Sequence, residues 1–206
     1  MSLRIMRFFG IPVSAFLFLA LAPLAEAAPG GFRLTSPDFA HGGLIPSRFT
    51  CEGQNTSPAL EIAGVPAGAQ SLALIVDDPD APAGAFTHWL VWNIPPGTIK
   101  IAAGAVPGDA VQGTNGFDIA GYSGPCPPSG THRYFFRVFA LSVSLHLSAG
   151  ASRTDLDAAM RGHILARTIL MGRYAKTGLQ AKTRRNYPPA LVILRSKPDT
   201  RASCAP

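Results

Sequence analysis

Charge and cysteine are both scarce in this 206-residue chain: Asp, Glu, Lys and Arg make up 15% of it, and there are three cysteines. No two cysteines stand at zinc-ligand spacing and no local two-histidine motif occurs, so the usual signature of a structural zinc site is missing. The chain has no Walker-type phosphate loop and no glycine-rich dinucleotide fingerprint, which removes the commonest nucleotide-binding classes. It has no internal repeat, which removes solenoids and propellers. Beyond the N-terminus no stretch is long and apolar enough to span a bilayer as a helix. A serine-hydrolase elbow also fails: in Gly121-Tyr122-Ser123-Gly124-Pro125 a proline stands where the last glycine belongs, and the flanks do not read strand-turn-helix. Nothing in the pattern calls for a metal or a cofactor.

What is present begins with an export signal. Arg4 and Arg7 precede an apolar run over residues 8–21, and Ala25-Glu26-Ala27 follows as a small-x-small cleavage pattern, so residues 1–27 read as a secretory signal peptide. The competing reading, a membrane anchor, is opposed by Pro12 and Pro23, which shorten the uninterrupted apolar core. Residues 28–178 are then expected to form one domain, with 47% hydrophobic content in the whole chain supporting a sizeable core. The net charge of +6 resides largely in the end of the chain: from residue 176 onward seven basic residues face one acid, whereas residues 28–175 are nearly neutral. Residues 179–206 therefore read as a solvated basic tail. No nucleic-acid partner is implied, and attraction to a lipid surface is the alternative role for the tail. Export would place the cysteines in an oxidising periplasm or extracellular medium. Cys51 and Cys126, both in loop-like segments, form the preferred pair over Cys204, with two free buried thiols as the alternative.

Short apolar runs over 60–65, 71–76, 89–94 and 133–141, separated by Pro/Gly turns, read as strands. The intervals are too short and too rich in proline for crossover helices, which favours a mainly β, antiparallel sandwich. Residues 155–174 lack proline, and Leu156, Met160, Ile164 and Ile169 recur at helical spacing, so one C-terminal helix is expected there, capped by Thr154 with Asp157. A further short strand is expected over 190–194.

Two stretches carry the chemistry. Residues 77–93, DDPDAPAGAFTHWLVWN, hold an acidic turn stiffened by Pro79 and Pro82 between two strands. Residues 121–134, GYSGPCPPSGTHRY, are crowded with glycine and proline, and successive backbone N–H groups there would make an anion nest. Alternation puts His132 with Tyr134, Phe136 and Val138 on one face, and groups His88 with Leu90 and Trp92. Aspartates beside histidines can orient the imidazoles, leaving a ring nitrogen for a ligand oxygen. The plainer reading is that the aspartates cap their own turn and the histidines are packing residues.

Asp78-Pro79-Asp80-Ala81-Pro82, Thr87-His88-Trp89 through Asn93, and Gly124-Pro125-Cys126-Pro127-Pro128 with His132-Arg133-Tyr134 resemble, in order and spacing, the two signature regions of the phosphatidylethanolamine-binding protein family, in its bacterial Raf kinase inhibitor-like branch. Phe49-Thr50-Cys51-Glu52-Gly53 and the end Gly172-Arg173-Tyr174 of the expected helix extend the likeness across most of residues 32–174. The resemblance implies an antiparallel β-sandwich with a small pocket for a phosphate-like anion or phospholipid head group. By motif position the ligand-binding residues would be Asp78, Asp80, His88, His132 and Tyr134, lined by Trp89, Tyr122, Gly124, Cys126 and Pro127. The expected function is an exported binding module able to modulate a protein partner, as a monomer or a homodimer. The kinase inhibition of eukaryotic relatives does not carry over to an exported chain. The alternative is a hydrolase using the His/Asp cluster, which lacks an evident nucleophile.

Overall fold

A computed structural model describes residues 31–177. The signal segment 1–27, the tail 179–206, the strand expected over 190–194 and Cys204 lie outside the described residues. Strand β3 (Ser71–Asp78), an almost continuous apolar run, is buried at every position because both of its faces are covered. It lies at the centre of a five-stranded sheet, flanked by β4 (Phe86–Ile94) and β7 (His132–Leu141), with the short β6 (Val111–Gln112) and the long β8 (Ile164–Tyr174) at the edges. A second sheet joins β1 (Arg33–Thr35), β2 (Leu60–Ala63) and β5 (Lys100–Ile101). Every pairing within the two sheets is antiparallel.

The alternation of side chains sorts the core into two layers. Leu34, Leu60, Ile62 and Ile101 of the small sheet pack against Leu72, Leu74, Val76, Trp89 and Phe136 of the large one. Ala73, Ile75, Leu90 and Trp92, pointing the other way, are covered by Leu156 and Met160 of helix α1 (Arg153–Met160). The protein is thus a mainly β antiparallel sandwich with one helix docked on its outer face.

Two expectations about that helix need correction. It ends at Met160, and residues from Ile164 to Tyr174 form β8, paired with β7 along nearly its whole length. Gly162, at φ 81°, stops the helix in a left-handed conformation that costs glycine little. Beyond it Leu170, Gly172 and Tyr174 are buried at alternate positions, a strand period that the isolated helical matches concealed. The cap also lies two residues earlier than Thr154: the Ser152 side chain accepts from the Asp155 N–H, and Asp155 in return accepts from the Ser152 N–H.

Candidate functional site

Because β3 runs antiparallel to both β4 and β7, the end of β3 and the starts of its neighbours meet at one edge of the large sheet. This brings Asp78, Phe86, His88, His132 and Tyr134 together from distant parts of the chain. The register between β3 and β4 slips between Val76 and Asp77: Trp89 faces Val76, yet Thr87 faces Asp77, leaving His88 as an extra residue. Such a bulge re-aims a side chain. His88 consequently does not share a face with Leu90 and Trp92, contrary to simple alternation; its ring stands edge-on to Tyr134 at 5.2 Å, in the inter-sheet layer.

The two adjacent aspartates point to opposite sides of the sheet. Asp77 turns outward, accepts from Arg137 and Arg153 and so ties helix α1 to the strands. Burial raises its pKa even against those two cations. Asp78 turns inward: one carboxylate oxygen accepts from the Asp80 N–H at 2.9 Å and the other from His132 Nδ1 at 2.7 Å. Asp80 leaves the site. Its carboxylate accepts from the Arg133 N–H, Nε and Nη2 at 2.9, 2.9 and 2.6 Å, and this clamp of the acidic turn onto β7 lowers its pKa to about 2. Asp78 therefore caps its own turn with one oxygen and holds the His132 imidazole with the other.

His88 is oriented by a carbonyl rather than by a carboxylate. Its Nδ1 lies 2.6 Å from the Ser123 oxygen, which can only accept, so Nδ1 carries the proton and Nε2 presents a lone pair. Burial lowers the pKa of His88, favouring the neutral ring. Tyr134 is wholly buried, and among the described residues its hydroxyl makes no hydrogen bond of normal geometry, although the Asp78 carboxylate lies beside it. Burial, with the neighbouring Asp78 carboxylate, pushes its pKa up, so the hydroxyl stays protonated.

These groups wall a cavity of about 170 Å³ lined by Asp78, His88, Tyr134 and Cys126, and closed by Pro82 and Phe86 among others. Of the residues expected there, Trp89 and Tyr122 lie elsewhere: they wall a separate depression of about 330 Å³, where Trp89 Nε1 donates to Gln112 and the Tyr122 hydroxyl donates to the Phe49 carbonyl. His132 touches the cavity only through Asp78, and Pro127 lines neither space. Phe86, Phe117 and Pro128 complete the lining. Phe86 belonged to the stretch singled out in the sequence but, as an ordinary strand phenylalanine, carried no chemical signal. Phe117 sits in a polar turn, and its membership of the wall emerges only from the fold.

The Gly-Pro loop is held in place by its own contacts. The Gly124 N–H donates to Asn55 Oδ1 at 2.7 Å, and a Cβ on Gly124 would come within 2.2 Å of the Phe49 oxygen, so the close approach requires glycine. The Ser123 N–H donates to the His88 carbonyl. These two N–H groups are thus engaged internally and do not form the expected anion nest. Cys51 and Cys126 are joined by a disulfide with Cα atoms 5.4 Å apart, fixing the loop to the segment after Phe49.

An antiparallel sandwich with a small cavity at one sheet edge, walled by an acidic turn and a proline-rich loop, defines a recognisable structural class. The chain belongs to the phosphatidylethanolamine-binding protein family, whose family model matches residues 35–175. A UPF0098 protein of Methanothermobacter thermautotrophicus is 51% identical over 149 residues, covering 70% of this chain and 99% of that protein. The crystal structure of a phosphatidylethanolamine-binding protein homologue, CT736 of Chlamydia trachomatis, superposes with a TM-score of 0.69 at 43% identity, covering 71% of this chain and 98% of the other. Escherichia coli YbcL, described as a member of the mammalian family, gives a TM-score of 0.68 at 33% identity over 71% of this chain and 99% of its own.

Proposed function

We propose that the protein is an exported, non-catalytic binding module whose cavity takes a phosphate-like anion, free or as part of a phospholipid head group. The observation that carries this reading is the Tyr134 hydroxyl, buried, protonated and without a hydrogen bond of normal geometry among the described residues: an unsatisfied buried donor costs about 1–3 kcal/mol, and a ligand oxygen would satisfy it. His88 Nε2 offers the complementary acceptor, suited to the protonated oxygen of a phosphate monoanion. Alternatively His88 takes up a proton as the anion arrives and becomes a second donor, because the added negative charge joins Asp78 and Asp77 in opposing the effect of burial. Export is supported by the signal-like N-terminus together with the Cys51–Cys126 disulfide, which persists in the periplasm or outside the cell.

The hydrolytic alternative lacks a side-chain nucleophile among the lining residues and would have to activate a water through His88 Nε2 or Asp78. The hydroxyl among them is that of Tyr134, held protonated, and the cysteine is committed to a disulfide. Titration calorimetry of the mature protein with inorganic phosphate and with phosphoethanolamine tests the binding reading. Heat that disappears in His88→Ala is expected; silence with both probes, or binding indifferent to that substitution, would remove it. Turnover of a phosphoester would replace it with the enzyme.

A further inference from the structure

The depression walled by Trp89 and Tyr122 has none of its lining residues in common with the cavity at the sheet edge. Its volume of about 330 Å³ falls within the range of small-molecule sites. Among the described residues no charged side chain lines it.

Two carboxamides face this space, and a donor behind each fixes how it is turned. Trp89 Nε1 can only donate, so the Gln112 atom 2.8 Å from it is Oε1. The Gly124 N–H can only donate, so the Asn55 atom 2.7 Å from it is Oδ1. With both oxygens committed, Gln112 and Asn55 have only the N–H groups of Nε2 and Nδ2 left to offer, and among the described residues those groups have no partner. The supports are stiff. Trp89 is buried, with the Tyr122 ring edge-on to it at 5.6 Å, and Asn55 is held in a left-handed conformation at φ 55°. Two hydroxyls join the amides. Ser57 Oγ accepts from the Gly104 N–H at 3.1 Å, which leaves its own proton to donate. A Cβ on Gly104 would stand 2.7 Å from Thr56 Oγ1, so the bare backbone there keeps that hydroxyl free of a clash.

We propose that this depression is a binding site for an uncharged sugar ring. Neighbouring hydroxyls of such a ring accept from the two amides and donate to the Thr56 and Ser57 oxygens, because a hydroxyl does both. Its C–H face packs against the half-buried Tyr122 and Val106. A charged ligand finds no countercharge in the lining. An extended peptide finds no strand edge: β6, which carries Gln112, has two residues, and the Gln112 carbonyl already accepts from the Gly150 N–H at 2.9 Å. The site is independent of the phosphate reading of the other cavity, and each stands or falls without the other.

The chain has two tryptophans, so its indole N–H signals supply a reporter and an internal control. Trp89 Nε1 is bonded to Gln112 at the depression, whereas Trp92 is buried in the layer beneath helix α1. The test is a titration of the mature protein with the methyl glycosides of glucose, galactose, mannose and N-acetylglucosamine, followed by proton–nitrogen correlation spectra. The Trp89 signal should shift saturably with at least one of them while the Trp92 signal stays in place. Gln112→Glu and Asn55→Asp keep the oxygens that Trp89 and Gly124 need and remove only the outward donors. Each should weaken sugar binding by about tenfold with an unchanged thermal melt. No saturable shift with any glycoside overturns the proposal, as do indole signals that move together or an affinity that both variants retain. A shift with N-acetylglycine N-methylamide and with none of the sugars would assign the depression to a peptide and overturn it as well.

Discussion

Tyr134 concentrates the conflict between stability and binding in one atom. Its hydroxyl is buried and unpaired, so Tyr134→Phe removes a polar group that the folded protein leaves unsatisfied. The variant is expected to be more stable by about 1 kcal/mol in chemical denaturation, and to bind phosphate about tenfold more weakly. A loss of stability would mean that the hydroxyl has a partner in the free protein. His88 carries a pH signature. Its folded-state pKa lies below the ordinary value of 6.5, so the unfolded chain takes the proton more readily. The stability of the free protein is therefore full above pH 6.5 and falls as the pH drops below it. Melting temperatures between pH 7.5 and 5.5 should decline more steeply for the native chain than for His88→Phe; equal slopes would contradict the assignment. Alternation had placed Tyr134 and His132 on the correct face, because β7 runs regularly from its first residue. It misplaced His88 because a bulge is a property of two strands in register, and one strand's sequence does not contain it.

At the scale of elements, short apolar runs bounded by proline and glycine mark β2, β3, β4 and β7; β3 is buried on both faces and reads as a continuous apolar run, whereas β2 is buried at alternate positions. The tract from Ile164 to Tyr174 mimics helical spacing because Ile164 and Ile169 are exposed apolar residues at a sheet edge, which add helical matches to a period-two pattern. The loop bearing Gly124 and Cys126 depends on a long-range covalent tie: the disulfide joins residues 75 apart in sequence. Chain-entropy arguments give about 4 kcal/mol for closing such a loop. Replacing both cysteines by serine should lower unfolding stability by up to that amount and also weaken phosphate binding, because Cys126 is part of the cavity wall. Unchanged affinity in a folded Cys51→Ser/Cys126→Ser variant would show that the loop is held by the Gly124 and Ser123 hydrogen bonds alone.

For the whole molecule, three strand termini converge at one edge of a five-stranded sheet, and a covalently pinned loop closes the space they leave. Of the ten residues that the sequence motifs name, four line the cavity, namely Asp78, His88, Cys126 and Tyr134. Asp80 serves as a clamp, Trp89 and Tyr122 face a different depression, and Phe86 and Phe117 supply walls that polar motifs cannot reveal. Those assignments require the fold, because adjacent residues such as Asp77 and Asp78 point to opposite faces of one strand. The central claim, an anion held between Tyr134 and His88, predicts proton uptake when the anion has no proton to offer the Nε2 lone pair, since His88 must then become the donor and the arriving charge raises its depressed pKa. The most direct measurement is calorimetry at pH 7 with sulfate, which does not itself titrate there, in two buffers of different ionisation enthalpy. Binding heats that differ between the buffers in the sense of a proton taken up, and that no longer differ in His88→Phe, are the predicted result; no binding, or heats independent of the buffer, would contradict it.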